Sequence, residues 1–523
     1  MADKYIVSHD LGTSADKAVL VTVYGELVDT ERQEYPIYHP KPGYAEQDPF
    51  DWWQAVCDTT RKLITKTGVK PADIVGMTFS SQCQTLVSVD KEGNPVTRAI
   101  SWLDGRSADI IREKLWTPPR IMGYNIFKLL RFLRITGGSP GHTGKDQIGK
   151  ILWLQRHQPE IYSRIYKFLD VKDFIIHHLT GNFVKSVDLG VIWWLMDTRK
   201  NRNQWHPGLC KLAGVGVEML PQVKESAAIV GEVTPKAAEN TGLLPGTPVI
   251  NGAGDLSAAA LGSGAIGEGE LHISIGTSGW VAGHFGKRKI DIPHYAGCIG
   301  STYPQKYYLG MAHQETAGIC LEWLKNRVLY HEEQLKQESQ VAEIYQLLDQ
   351  LAESAEPGSA GLIFTPWMYG ERCPIDDDHV RAGLFNIGLN HSREHLVRAV
   401  LEGIAFNTRW AMETLENLYS RVDQLNIVGG GAKSDIWCQI VADITDRVIN
   451  QVQNPHLAGA VGVALLASMT LGYIDSYHDI KKYIKIKHSF SPNADNRRLY
   501  DTMFREFKNL YKQNRKWYAR MNR

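Results

Sequence analysis

The sequence predicts an α/β protein made of two duplicated domains with a cleft between them. Three observations lead there. The chain has 523 residues, more than one ordinary core organises. Short β-branched runs alternate with amphipathic helical stretches. A strand running into a Gly-Thr-Ser turn occurs once in each half, in "DLGTSADK" and in "SIGTSGW". The expected division is 1–252 and 253–523.

"KYIVSHD" and "KAVLVTVY" read as strands joined by "LGTSAD", and "GELVDTERQEYPI" continues the pattern. "DPFDWWQAVCDTTRKLITKTG" reads as a capped helix ending near Gly68, with Phe50, Trp53, Val56, Cys57 and Ile64 toward one side. "IVGMTFSS" and "TLVSVD" are further strands. Residues from about 122 to 224 are more helical and aromatic-rich, a helical elaboration of the first domain. Near Asn251 the pattern restarts. "ELHISIGTSGWV" is a strand entering the second turn, and "HLVRAVLEGIAFNTRWAMETLENL" a long amphipathic helix. "LNIVGGGAKSD" is a strand entering a glycine turn, followed by the helix "IWCQIVADIT". "HLAGAVGVALLASMTLG" is a helix of small residues suited to close packing. The basic tail, "RRLYDTMFREFKNLYKQNRKWYARMNR", reads as a helix docked by its Leu, Phe and Tyr residues rather than a membrane anchor.

Composition narrows the function. Apolar residues are 43% and charged residues 22%, ordinary for a globular protein. A net charge of +1 gives no basis for a nucleic-acid or anionic-surface partner. No apolar run is long enough to span a bilayer, and the charged start is unlike a signal peptide. Seven scattered cysteines, without CxxC or Cys/His ligand spacing, point to a reducing cytoplasm and away from structural zinc. The expected partner is a small molecule in the cytoplasm, and a homodimer stays open.

Four stretches carry chemistry. In "DLGTSADK", Asp10 ends a strand, Thr13 and Ser14 offer hydroxyls and backbone N–H groups, and Lys17 adds a positive charge. Such a turn can cradle phosphate, with the carboxylate holding Mg²⁺ through water. Alone it is also an ordinary hairpin turn. "SIGTSGW", with Gly276 and Thr277, makes the pairing more specific, because two facing turns could grip one polyphosphate. No Walker P-loop and no strand-to-helix GxGxxG occurs. "VGGGAKSD", with Gly430, Gly431 and Asp435, can let backbone lie flat on a planar ligand. "NGAGDLSAAALGSG" holds a single charge, Asp255, among small residues, and a buried carboxylate is costly unless paired or used.

In their order along the chain, these motifs resemble the FGGY carbohydrate kinases, on the actin/hexokinase-like (ribonuclease H-like) ATPase fold. "GYAEQDPFDWW", "ISWLDGR", "LTGNFVKSVDLGVIWWLMDTRK" and "YGERCPIDDDHVRAGLFNI" extend the match over nearly the whole chain. Two features depart from the family pattern. The distance from the Gly-Leu pair to the helix in "GLFNIGLNHSREHLVRAVLEG" is shorter than usual, and "QIGKILWL", around Lys150, lacks the usual Ser, Thr or Pro three positions before the lysine.

The resemblance implies transfer of the ATP γ-phosphoryl to a sugar or polyol hydroxyl, with Asp255 as general base. A carboxylate suits that role because the transition state is largely dissociative and the proton leaves late. It implies Asp10 for Mg²⁺, and Thr13, Ser14, Lys17, Gly276 and Thr277 for the phosphates. Gly430, Gly431 and Asp435 fall to the nucleoside, and Gln82, Trp102 and Asp104 to the sugar. The small residues around Asp255 read as space for that sugar. Glycerol-type members carry an Arg-Glu pair after the strand "IVGMTF", where Ser81 and Gln82 are taken to stand here, so a xylulokinase-like member acting on a pentulose such as D-xylulose is expected. Another pentulose or a pentitol (ribulose, ribitol, xylitol) is the alternative. A non-catalytic sugar-nucleotide sensor on the same fold is the remote one.

Overall fold

The computed structural model describes residues 3–329 and 344–522. Two seven-stranded sheets carry it. The first contains β1 (Tyr5–Leu11), β2 (Ala15–Thr22), β3 (Leu27–Glu34), β4 (Ile74–Ser81), β5 (Ile229–Glu232), β6 (Pro248–Ile250) and β7 (Ala253–Gly254). Their order is β5-β6-β4-β1-β2-β3, with β7 beside the last residues of β4. The second contains β8 (Leu271–Ile275), β9 (Gly279–Phe285), β10 (Ala296–Gly300), β11 (Tyr308–Gln314), β12 (Gln424–Val428), β13 (Val448–Val452) and β14 (Ile486–Phe490), in the order β10-β11-β9-β8-β12-β13-β14.

The two sheets repeat one plan. Each begins with an antiparallel hairpin closed by Gly-Thr-Ser, β1/β2 and β8/β9. The first hairpin strand then pairs in parallel with a later strand, β4 or β12. A second parallel strand follows, β6 or β13, and an antiparallel edge strand closes the sheet, β5 or β14. The duplication expected from the two turns is thus present strand by strand.

The helix after β3 forms as its sequence dictates. Asp48 accepts from the Phe50 N–H at 2.9 Å, Pro49 opens α1 (Pro49–Thr67), and Gly68 ends it at a left-handed φ of 67°. Its buried face is Trp52, Val56, Cys57 and Leu63, whereas Phe50 is 46% exposed. Phe50 sits in the first turn, out over the rim, where it meets Phe174 and His178 edge-on instead of the sheet. The helical elaboration contributes α2 (Gln147–His157), whose Ile148, Ile151 and Leu154 join a core containing Trp116, Phe168 and Trp193. That core also includes Trp280, Ile299 and Val428 of the second sheet, so it continues across the join between domains.

Two helices cross between the sheets. α3 (Asp255–Ser263) leaves β7 of the first sheet and leans on the second, where Asn426 Nδ2 donates to the Ser263 carbonyl at 2.7 Å. The second domain also contributes α4 (Arg393–Leu418), α5 (Asp435–Thr445) and α6 (Ala458–Thr470). α6 leaves the second sheet and packs on the first, its Ala460, Ala464 and Ala467 against Ile6, Val19 and Val21. The crossing helices touch backbone to backbone. A Cβ on Gly262 would lie 1.7 Å from the Ala458 carbonyl oxygen, and one on Gly462 would lie 2.6 Å from that of Ala258.

This contact corrects the expectation that the small residues after Asp255 make room for a ligand. Ala258, Ala260 and Gly262 are small because α6 lies against them, and only Ala259 and Leu256 of that stretch reach the cleft. The two preceding glycines have other causes. Gly252 has φ +70°, and Gly254 leaves space for the Cys83 sulfur.

The tail forms α7 (Arg497–Met521), docked through Tyr500, Met503, Phe504, Phe507 and Tyr518. Among the described residues no helix is long and apolar enough to cross a membrane.

Candidate active site

A cavity of about 1780 Å³ opens between the two sheets, where both Gly-Thr-Ser hairpins point. Asp10, Thr13, Ser14, Lys17, Gln82, Trp102, Asp255, Gly276, Thr277, Gly430 and Gly431 all line it. Residues spread over most of the chain therefore meet in one cleft.

The first turn is braced from behind and bare in front. Gly12 N–H donates to the Ala15 carbonyl at 3.0 Å. The Gln47 side chain donates to the Thr13 carbonyl at 2.9 Å, and Trp102 Nε1 to Thr13 Oγ1 at 3.0 Å. The EQDP segment thereby acquires separate tasks. Glu46 accepts from Arg106 at 2.7 Å, Gln47 holds the turn, and Asp48 caps α1. Asp10 Oδ1 accepts from Ser80 at 2.9 Å and Oδ2 from Lys17 at 3.1 Å. Asp10 raises the Lys17 ammonium above its usual range against the effect of burial. In the second turn, Thr277 faces the cleft and its hydroxyl has no hydrogen bond among the described residues, while its carbonyl and that of Gly276 accept from the 317–319 backbone.

Asp255 is the first residue of α3. Its Oδ1 accepts from Cys83 Sγ at 3.0 Å and from the Leu256 N–H at 2.9 Å. Among the described residues nothing donates to Oδ2. Burial pushes this carboxyl up to about 6. The thiol resists, the Asp10 carboxylate adds to the rise, and the Leu256 N–H and Lys17 resist further. The segment entering the helix is fixed by Asp188, which accepts from the Gly254 N–H at 2.7 Å.

The three glycines after β12 divide their work. Gly429 has φ +94°, and a side chain on Gly431 would strike Ile275 and Trp437. At Gly430 a Cβ would meet nothing within 4 Å. The fold does not require that glycine, and its bare backbone faces the cleft, as stacking of a planar ring would need.

Two expected ligand contacts lie outside the cavity lining, and a third reaches it only at its edge. Asp104 is fully buried and outside the cavity lining, with its oxygens taken by Arg106 and by the Ala45 N–H at 2.7 Å. Asp435 also lies outside the lining and accepts from Gln451 at 2.8 Å and Lys487 at 3.1 Å. Gln82, only 2% exposed, turns its amide to Gln47 Oε1 at 3.0 Å. Next to it, Cys83 and Gln84 line the same cavity and are less buried. Gln84 holds a left-handed φ of 61°, the signal sequence inspection lacked, since nothing in "SSQCQT" marks a positive φ.

The far end of the cleft is closed by a charge bridge between the domains. Lys145 Nζ lies 2.6 Å from Glu315 Oε1, and Arg372 Nε 2.6 Å from Glu315 Oε2. Burial works to raise Glu315, but Arg372 and Lys145 hold its carboxyl down to about 2. Behind it Glu371 is pushed by burial up to about 8, while accepting from the Glu315 and Arg372 N–H groups and from Asn407.

The donor set at the first turn fits a divalent cation. Asp10 supplies the oxygen donors, and with Asp255 lining the same cavity the single charge of Lys17 faces two carboxylates. Oxygen donors with excess negative charge suit Mg²⁺.

Known proteins share this arrangement over the full length. Residues 5–262 match the N-terminal domain and residues 271–471 the C-terminal domain of the FGGY family of carbohydrate kinases. A xylulose kinase from Bacillus subtilis (strain 168) is 30% identical over 513 residues, which is 97% of each chain. The crystal structures of a gluconate kinase and of a ligand-bound xylulose kinase, both from Lactobacillus acidophilus, each superpose with a TM-score of 0.86 at 25% identity, covering 99% of this chain and 100% of theirs. With duplicated sheets, paired hairpins and a carboxylate-bearing cleft matched from end to end, the chain belongs to the FGGY family of carbohydrate kinases and is a sugar kinase.

Proposed function

We propose that this kinase transfers the γ-phosphoryl of ATP to a hydroxyl of a pentulose such as D-xylulose, with Asp255 as general base. The observation that carries the reading is the Asp255 carboxylate in the cleft that both Gly-Thr-Ser turns line, its protein hydrogen bonds confined to Oδ1. Oδ2 is left for a substrate hydroxyl. In the ionised form it accepts the proton as the hydroxyl attacks the γ-phosphorus and the bond to the β-phosphate oxygen breaks. Backbone and hydroxyls of residues 12–14 and 276–277, with Lys17, orient the phosphates, and the bare backbone at Gly430 supports the nucleoside. Asp10 would hold Mg²⁺, which when bound neutralises phosphate charge. Closure of the domains excludes water that would otherwise hydrolyse ATP.

Charge supports a neutral sugar over a sugar acid. Two of the cations lining the cleft, Lys145 and Arg372, are both bound to Glu315, while Arg381 is bonded to the carbonyls of Asp378 and Val380. Gln84 and Trp102 offer an amide and an aromatic wall to a polyhydroxy ligand. The absence of an Arg-Glu pair after β4, where the chain reads Ser81-Gln82-Cys83-Gln84, argues against glycerol. An ADP-release screen over ketopentoses, pentitols, glycerol and gluconate tests this. The highest kcat/KM is expected on a pentulose, and turnover confined to gluconate or glycerol would overturn the substrate assignment.

A further inference from the structure

Lys150 lies in α2, wholly buried, and its ammonium donates to one group among the described residues, the Gln84 backbone carbonyl at 2.6 Å. Burying a lysine on a single neutral acceptor is costly. Burial pushes its pKa down to about 7, although the carboxylates of Asp104, Asp146 and Asp170 favour the charge and Arg106 opposes it. Packing alone gives no reason for a charged side chain there, so the bond to Gln84 is the feature to explain.

The acceptor is a strained residue. Gln84 is held at φ 61°, a region that non-glycine residues occupy at a cost and mostly near functional sites. Two anchors fix it. Lys150 holds its carbonyl, and Asp146 Oδ1 accepts from its side-chain amide at 3.1 Å. Asp146 is itself fixed by Trp194 Nε1 at 2.7 Å and the Gly141 N–H at 2.8 Å. Asp146 is a carboxylate braced by three donors, whereas the carbonyl has the lysine alone.

The turn so fixed touches the working parts of the cleft. One residue back, Cys83 Sγ donates to Asp255 Oδ1 at 3.0 Å. Two residues back, the Gln82 N–H bonds to the Leu11 carbonyl at 2.8 Å, and the Gln82 amide reaches Thr13 of the first turn through Gln47. A shift of the Gln84 carbonyl would therefore move the thiol off Asp255 and disturb the wall beside it.

We propose that Lys150 is a positioning residue for phosphoryl transfer: through the Gln84 carbonyl it locks the 82–84 turn, keeping the Cys83 thiol on Asp255 and the Gln84 side chain at the cleft. The proposal rests on Asp255 being the base.

The test compares K150M, C83A and the double variant in the full-length protein, with D255N alongside. Methionine keeps the length and volume of the side chain and removes the donor. K150M is expected to lose about 10- to 100-fold in kcat, the scale of an ångström-sized misplacement, with KM for ATP within about twofold of wild type. Loss of the thiol bond to the ionised carboxylate raises the acid limb of the kcat/KM profile by about one pH unit in both single variants. The groups facing Asp255 that set this limb are Cys83, the Leu256 N–H, Asp10 and Lys17. The double variant should shift the limb no further than either single, since the lysine acts through the thiol. A folded K150M with wild-type kcat and an unmoved limb overturns the proposal, as does one whose losses fall on KM for ATP with the limb unmoved. Should K150M fail to fold, C83A decides alone, because an unmoved limb there removes the path to Asp255. D255N separates the two claims. An active D255N removes the base assignment, whereas an inactive D255N beside an unaffected K150M removes only the role of Lys150.

Discussion

Replacing Asp255 by Asn should stabilise this protein while abolishing its turnover. Burial, with Asp10 adding to it, moves the carboxyl from 3.8 to about 6, so the native state binds its proton more tightly than the unfolded chain. The consequence has a definite sign. Below about pH 4 the group is neutral in both states and costs nothing. Between about pH 4 and 6 the unfolded chain releases its proton while the native state keeps it, so stability falls, and above about 6 the native state holds the desolvated charge and the loss is complete. A displacement of about two pH units corresponds to about 3 kcal/mol, present in full at neutral pH. Asparagine keeps the Oδ1 acceptor for Cys83 and Leu256 and has no charge to desolvate. At pH 7.5 apo D255N should therefore melt higher than wild type, by roughly 5–10 °C if the affected unit is of ordinary domain size. At pH 4.5 the difference should shrink to about a third of that, roughly 2–3 °C. Thermal melts of both proteins across pH 4–8 measure it, and coupled ADP release, lowered by about 10²–10⁴-fold, gives the functional half. Equal melting of the two proteins at pH 7.5, or a gap independent of pH, would refute the claim that Asp255 is an unneutralised buried carboxylate. Retained turnover would refute its catalytic role.

The same carboxyl sets a pH profile. The kcat/KM of the wild type should fall about tenfold per pH unit below about pH 6, and an acid limb near 4 in steady-state kinetics would contradict it. G462A forces a methyl group to within 2.6 Å of the Ala258 carbonyl. Overpacking of this kind costs about 1–3 kcal/mol, visible as a lowered urea midpoint, and a neutral result would mean that the crossing helices can separate freely. E315Q breaks the Lys145–Arg372 bridge between domains, so small-angle scattering should show a larger radius of gyration for the apo variant than for wild type. Identical radii would show that the bridge does not hold the cleft. In wild type, the radius should shrink when sugar and nucleotide bind, and an unchanged curve would count against closure.

Much of this was readable from the chain because local chemistry dictates it. The two Gly-Thr-Ser hairpins, the Asp48–Pro49 helix start and the GGG turn all announce themselves through residues with few alternative uses. The contacts that sequence missed depend on long-range geometry. Asp104 looks like a sugar ligand in "SWLDGR", but Arg106, two residues on, folds back onto it. Asp435 opens a helix beside the glycine turn, yet a lysine from β14, Lys487, occupies it. The positive φ of Gln84 is not marked in the sequence, so Cys83 and Gln84, which line the cleft beside the more buried Gln82, were missed. The glycines and alanines after Asp255 signalled closeness correctly, but the neighbour that comes close is a helix from the other domain.

That helix pair has a mechanical meaning. Where α3 meets α6 at Gly262 and Gly462, the backbones touch, with Leu261, Val463 and Leu466 packed beside the contact. Such a contact resists separation but offers little to oppose a small rotation. It can serve as a pivot near the end of α3. Motion about a pivot grows with distance from it. Asp255 lies about two turns back along the same helix, whereas Lys145 and Glu315 pair across the cleft on other segments. The cleft can then swing wide enough to exchange ligands while the carboxylate stays nearly where it was.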